Sequence, residues 1–115
     1  MRQKGIEGEK IAYSYLLRKG HRIIAKNFHS RFGEIDIISL DGKTIVFTEV
    51  KMRSSKRFGT PLEAITYRKL QKLQKTALFF LNLYKLSNSP YRFDAVEIEI
   101  VEGKIEINQV ENITL

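Results

Sequence analysis

Residues 32–54 read FGEIDIISLDGKTIVFTEVKMRS, two apolar runs interrupted by acidic side chains and followed by basic ones. Both runs are rich in Ile, Val, Phe and Thr, which predicts β-strands at residues 34–40 and 43–51. The dipeptide Asp41-Gly42 between them is typical of a two-residue type I′ turn, because both central positions of that turn need positive φ. The stretch therefore predicts an antiparallel β-hairpin.

The predicted turn also fixes which residues of the hairpin face each other. A turn at Asp41-Gly42 pairs Leu40 with Lys43, and Glu34 then lies opposite Glu49. Directly opposed residues of an antiparallel pair project from the same side of the sheet, and alternate residues of one strand share that side. Four charged side chains are therefore expected on one face: Glu34, Asp36, Glu49 and Lys51.

Three carboxylates on one small patch repel each other, and each loses hydration where it is buried. A divalent cation offsets both effects, and Mg²⁺ binds through one or two carboxylates while it keeps several waters. Lys51 is then in a position to orient or deprotonate an attacking water, or to stabilise negative charge on a phosphate. The pattern predicts phosphodiester hydrolysis.

A solvated strand edge with a weak Glu-x-Lys pair is the alternative explanation of these charges. Ile45, Val46, Phe47 and Val50 are apolar on both faces, which indicates an interior strand where charges are costly, and this favours the site. For Glu34 two roles stay open, a metal ligand or a side chain that points into the preceding loop.

The composition limits the class of protein. The chain has 115 residues, which predicts one domain spanning residues 1–115. It has no cysteine, which excludes a disulfide framework and thiolate chemistry and favours a cytoplasmic location. The net charge of +7 favours phosphate polyanions or anionic surfaces as partners. No apolar run approaches the roughly 18 residues of a membrane span, so no membrane partner is expected.

The remaining sequence predicts the order αβββααββ. A helix is predicted at residues 5–19, with Glu9 on its apolar face, followed by a short strand at residues 21–27. Thr60 is expected to begin a short helix, and Thr66 to cap a longer amphipathic helix that runs to residue 86. The last two strands are predicted at the following positions: residues 92–101 and 104–110.

Together, GEIDIIS and VFTEVKMRS resemble the PD-(D/E)XK nuclease superfamily, with Asp36, Glu49 and Lys51 at the motif positions. Over nearly the whole chain, the segments GEKIAYSYLLRKGHRIIAKNF, FGTPLEAITYRKLQKLQKTALFFL and YRFDAV are similar to the YraN family of bacterial proteins. Ile35 stands where the superfamily often has proline, a departure that leaves the metal-binding residues intact.

The resemblance implies an α/β, restriction-endonuclease-like fold: an αβββαβ core, a mixed central sheet flanked by helices, and a C-terminal β-hairpin. It implies a metal-dependent endonuclease, similar to Holliday-junction resolvases, in which Glu9, Asp36 and Glu49 hold Mg²⁺ or Mn²⁺ and Lys51 activates water. As the substrate, DNA is favoured over RNA, and branched DNA is one of the expected forms. Since a resolvase cuts a junction at two points, a homodimer is also expected.

Two basic residues are predicted to contact nucleic acid. Arg53 continues the Lys51 side of its strand, and Lys69 lies near the start of the long helix. The neighbouring helix cations are read as the solvated face of an amphipathic helix: Arg68, Lys72 and Lys75.

Two alternatives to the nuclease stay open, a non-catalytic nucleic-acid-binding module on the same fold and a protein-interaction adaptor. Arg92 and Asp94 are interpreted either as a pair that supports the site residues or as a cap of the strand start, and the structural role is favoured. His21 and His29, at the ends of a short strand, are interpreted as surface residues without a role.

Overall fold

A computed structural model of the protein describes residues 2–53 and 66–113. The described chain forms a five-stranded mixed sheet with two helices. The elements follow in the order α1 (Arg2–Arg18), β1 (Arg22–Ser30), β2 (Gly33–Asp41), β3 (Thr44–Arg53), α2 (Tyr67–Leu83), β4 (Tyr91–Val101) and β5 (Lys104–Val110). The first six elements have the expected αβββαβ order. The short helix predicted at Thr60 lies outside the described residues.

The strands lie side by side in chain order, and one pair of neighbours is parallel. The pairs β1–β2, β2–β3 and β4–β5 are antiparallel, whereas β3 and β4 are parallel from Ile45–Tyr91 to Arg53–Glu99. A parallel pair needs a long crossover, and the connection between β3 and β4 contains α2. This mixed sheet and the terminal β4–β5 hairpin confirm the predicted fold class.

Each face of the sheet packs against one helix. Ile37 and Ile38, which are successive residues of β2, point to opposite faces. Ile37 belongs to the core cluster of α1, with Ala12, Leu16, Val96 and Ile98. Ile38 belongs to the core cluster of α2, with Ile35, Ile45, Phe47, Leu73, Ala77, Phe80 and Leu81. The sheet is therefore the middle of three layers.

The predicted register of the β2–β3 hairpin is wrong by two residues. Asp41 pairs with Thr44 and Leu40 pairs with Ile45, so the two turn residues are Gly42 and Lys43. The φ of +63° belongs to Gly42, at the first central position, which is the arrangement of a type II′ turn. A shift by two residues preserves the faces, because side chains alternate with a period of two.

Two interpretations of polar residues had different outcomes. His21 is buried, contrary to the prediction, and its Nδ1 lies 2.9 Å from Ser39 Oγ. Arg92 and Asp94 do pair, since Arg92 Nε donates to Asp94 Oδ1 at 3.0 Å. Asp94 also accepts from the side chain of Gln109 and from the backbone of Asn112, which ties the segment after β5 to β4.

Among the helices of the described residues, none has the length and apolar character that a membrane span requires.

Candidate functional site

Asp36 lies where the paired part of the β2–β3 hairpin ends. The last β2–β3 pair is Ile37–Thr48, and continuing that register by one residue brings Asp36 level with Glu49. In place of a further backbone contact, Asp36 Oδ2 accepts a hydrogen bond of 2.8 Å from the backbone N–H of Val50. The two strands thus part beside two carboxylates.

Burial, and next to it the nearby carboxylate of Glu49, raise the pKa of Asp36 to about 7. The Val50 hydrogen bond opposes this rise, while the more distant charges of Glu9 and Glu34 add to it. A carboxyl group with this pKa is partly protonated near neutral pH. The side chain therefore lies in a site that favours neutralisation by a proton or a cation.

Glu49 brings two amines from different elements to one oxygen. Its Oε2 lies 3.2 Å from Nζ of Lys51, two residues further along β3, and 3.4 Å from Nζ of Lys69 on α2. The Lys51 side chain is 19% exposed and the Lys69 side chain 45% exposed, so Lys69 is the more accessible to a ligand. The Glu49 carboxylate therefore holds an inner and an outer ammonium group.

The two amines influence each other. Burial opposes the charge on Lys51, but contacts with Lys69 and Glu49 outweigh burial and raise the pKa of Lys51. Burial and the neighbouring amine of Lys51 lower the pKa of Lys69, and attraction to Glu49 offsets only part of this. Positive charge is therefore held more firmly at Lys51.

Helix α2 brings Lys69 to the site because of how it begins. The Thr66 side chain is the N-cap and accepts a hydrogen bond from the backbone N–H of Lys69 at 3.2 Å, as the sequence predicted. Leu70 and Leu73, one and four residues further along the helix, are buried. The cap and the apolar stripe thus fix the direction from which Lys69 approaches the sheet.

A cleft of about 210 Å³ joins these side chains between the sheet and α2. Its lining has an acidic side from the strands and a basic side from the helix: Gly33, Glu34, Asp36, Glu49, Lys69, Lys72 and Leu73. Lys72, interpreted from the sequence as part of the solvated helix face, lines this cleft. The periodicity that predicted α2 could not indicate which of its cations faces a neighbouring strand.

The other predicted site residues have different positions. Glu34 lines the cleft, and its Oε1 lies 3.2 Å from His29 Nδ1, so it is paired at the cleft margin. Glu9 lines a separate cavity beside β1, although it is near enough to raise the pKa of Asp36. Arg53 ends β3, and its side chain lies outside the described part of the chain.

No three acidic or histidine side chains within residues 2–53 and 66–113 are grouped so that they could hold a metal ion. Asp36 and Glu49 alone offer two carboxylates, which is enough for an ion that keeps several of its own waters. The described residues thus offer two carboxylates of the kind that such an ion binds, and no closed cage of three or more ligands.

Comparison with known proteins identifies the family. The model of the uncharacterised protein family UPF0102 matches residues 8–98. A UPF0102 protein of Thermodesulfovibrio yellowstonii is 50% identical over 102 residues, covering 89% of this chain and 88% of its own. A UPF0102 protein of Syntrophomonas wolfei is 42% identical over 111 residues, covering 96% of each chain. The protein belongs to the UPF0102 family, which is the YraN family that its sequence resembles.

Proposed function

We propose that the protein is a metal-dependent nuclease that hydrolyses phosphodiester bonds of nucleic acid, with DNA favoured over RNA. The observation that carries the proposal is a cleft in which the Asp36 and Glu49 carboxylates lie beside the amines that approach Glu49. Oxygens that attract a cation, next to ammonium groups that attract a phosphate, suit this reaction. The αβββαβ order and the resemblance to PD-(D/E)XK nucleases support the same activity.

Asp36 and Glu49 would hold Mg²⁺ or Mn²⁺, whereas Glu9, which the family resemblance implies as a further ligand, lines a separate cavity. When bound, the ion would polarise a phosphate oxygen and make a water molecule more nucleophilic. The donor set fits such an ion, because burial and like charges disfavour the bare carboxylate of Asp36 and a cation offsets both.

Lys51 and Lys69 would have different roles toward the phosphate. In hydrolysis a water oxygen bonds to phosphorus and releases a proton to solvent, the ester P–O bond breaks, and the leaving oxygen takes a proton from solvent. Lys51, which is paired with Glu49, would stabilise the negative charge that grows on the phosphate and orient the water. Lys69, which is more exposed, would bind the phosphate before reaction.

The test is a cleavage assay with labelled linear, flapped and four-way-junction DNA and a matched RNA, each in Mg²⁺, Mn²⁺ or EDTA. The variants Asp36→Asn and Glu49→Gln keep the side-chain shape but remove the charge. We expect cleavage by the wild type with metal, and a loss of at least about 100-fold in both variants.

The matched control is Glu106→Gln, which alters an exposed carboxylate on β5 away from the cleft. It should cleave like the wild type. Cleavage at the wild-type rate by both cleft variants would overturn the assignment, and circular dichroism of each variant checks that its fold is retained.

A non-catalytic nucleic-acid-binding module is the second candidate, and the Glu49 contacts favour it. The ion pairs of Glu49 Oε2 with Lys51 and Lys69 already balance its charge without a metal. For such a module we expect salt-sensitive DNA binding that EDTA and Asp36→Asn leave unchanged, with no cleavage of any substrate.

A further inference from the structure

A second cavity, of about 470 Å³, lies between α1 and β1. Its volume is within the range of about 300–1,000 Å³ that is usual for small-ligand sites. Two amines, one carboxylate and an aromatic ring contribute to its lining, which consists of Glu9, Lys10, Tyr13, Ser14, Lys26 and Asn27. The cavity therefore has a net positive lining with a polar and aromatic wall.

This cavity lies on the α1 side of the sheet and comes near Asp36, which lines the candidate cleft on the α2 side. On β1, Asn27 falls between the pairs Lys26–Ile37 and Phe28–Ile35, so it is level with Asp36 on β2. Glu9, which lines the cavity, is among the charges that raise the pKa of Asp36. A chain molecule with one unit at Asp36, where β2 and β3 separate, thus has two residues of the cavity, Asn27 and Glu9, near that unit.

The backbone at Asn27 is unusual for a strand. Its φ is +53°, the left-handed region, which asparagine tolerates better than most residues. Backbone in this region occurs often at binding sites, where surrounding structure holds it in place. Asn27 interrupts the regular alternation of β1 where the strand borders the cavity.

Tyr13 holds one of the cavity's amines in place. Lys26 Nζ lies 4.5 Å from the centre of the Tyr13 ring, a cation–π contact. Tyr13 is itself half-buried and packs against the core cluster of α1. Because the contact restrains a long, exposed side chain, a phosphate bound by Lys26 incurs less of the usual entropy cost.

We propose that this cavity binds the nucleotide adjacent to the one in the cleft, with Lys26 and Lys10 paired to its phosphate. The proposal deepens the proposed function and rests on it only in taking nucleic acid as the ligand. Ser14 and Asn27 supply hydroxyl and amide groups for the sugar or base, and the cavity extends the bound length of the strand beyond the cleft.

The test measures the affinity of a fluorescent single-stranded DNA in EDTA, so that binding is separated from cleavage. We expect Lys26→Ala to weaken binding about 5-fold and to reduce the slope of log K against log salt by about 0.7, as loss of one phosphate contact does. Tyr13→Phe, which keeps the ring, should bind like the wild type, and Tyr13→Leu should bind more weakly.

Lys19→Ala is the matched control. Lys19 Nζ also lies over a tyrosine ring of α1, 5.8 Å from the centre of Tyr15, but neither residue lines the cavity. Its removal should leave affinity and salt slope unchanged. Equal affinities and slopes for Lys26→Ala, Lys19→Ala and the wild type would overturn the cavity proposal.

The outcomes separate the two proposals. Metal-dependent cleavage by the wild type with no effect of Lys26→Ala on binding would refute the cavity and leave the nuclease standing. A selective effect of Lys26→Ala on binding, without cleavage under any condition, would support the cavity and refute the nuclease. Absence of any binding by the wild type at low salt would overturn the cavity proposal.

Discussion

The side chain of Asp36 accepts a hydrogen bond from the backbone N–H of Val50 at the point where the β2–β3 pairing stops. A carboxylate oxygen here takes the role that a backbone carbonyl has in a continuous ladder. The bond therefore lets the strands separate without leaving the Val50 donor unpaired, and it holds Asp36 beside Glu49.

Without metal, the stability of the protein is expected to fall as the pH rises from about 4 to about 7. The pKa of Asp36 is about 7 in the folded protein and 3.8 in its ordinary state, so the folded state binds this proton more tightly. The stabilisation is complete below the unfolded pKa and is lost as the pH passes through the folded pKa. The loss should be about 2 to 4 kcal/mol.

Urea unfolding in EDTA at several pH values measures this loss. Asp36→Asn has no proton to lose and should show a smaller decrease over the same interval. If the wild type and Asp36→Asn have parallel stability curves, Asp36 is not the group that titrates in this range.

Mg²⁺ is expected to raise the melting temperature of the wild type. An ion that binds only the folded state stabilises it by mass action, and 10 mM Mg²⁺ with a dissociation constant of about 1 mM would contribute about 1.4 kcal/mol. For a domain of this size that corresponds to roughly 4–8 °C.

Thermal unfolding with and without Mg²⁺ tests the metal site without reference to cleavage. Asp36→Asn and Glu49→Gln should lose most of the shift, and Glu106→Gln should keep it. A full shift in both cleft variants would mean that Mg²⁺ binds elsewhere.

The two lysines on Glu49 should differ in their kinetic effects. Lys69 is the more exposed and is assigned to phosphate binding, so Lys69→Gln should raise KM about 5- to 10-fold with a smaller change in kcat. Lys51→Gln should lower kcat by about 100-fold or more, because it removes the positive charge that stabilises the reacting phosphate.

Steady-state cleavage kinetics separate these effects, with Lys75→Gln as the control. Lys75 is an exposed cation of the same helix that does not line the cleft. If Lys69→Gln and Lys75→Gln change KM equally, the helix contributes only general charge.

Asp94 is expected to be essential for stability. Its side chain is fully buried and accepts hydrogen bonds from Arg92, Gln109 and the backbone of Asn112. Asp94→Ala removes a carboxylate that pairs with the Arg92 guanidinium and should lower the free energy of unfolding by about 3 to 5 kcal/mol.

Urea unfolding provides the measurement. Glu106→Ala, an exposed carboxylate of β5, should change the free energy of unfolding by less than about 0.5 kcal/mol. A cost for Asp94→Ala as small as that of Glu106→Ala would show that the buried network contributes little net free energy.

The sequence predicted the pairing of faces in the hairpin better than its register. Turns at Asp41-Gly42 and at Gly42-Lys43 both use positive φ at Gly42, and local sequence does not decide between them. The faces were nevertheless correct, because a slip of two residues keeps Asp36 and Glu49 on one side.

Contacts between distant segments were less accessible to sequence reasoning. The cap at Thr66 was predictable from local chemistry, but the ion pair of Lys69 with Glu49 depends on how α2 packs on the sheet. The burial of His21 depends on Ser39, 18 residues away, so its position at a strand end gave a wrong interpretation.

The charges of the cleft come from segments that fold on different timescales. A local hairpin such as β2–β3 forms in about 1–10 μs. A parallel pair such as β3–β4 forms more slowly, because closing the long loop between its strands costs conformational entropy. Asp36 and Glu49 are therefore expected to come close together before α2 packs on the sheet and brings Lys69 to Glu49. Their repulsion would slow an early step of folding, so divalent cations should speed the refolding of this protein as well as stabilise its native state.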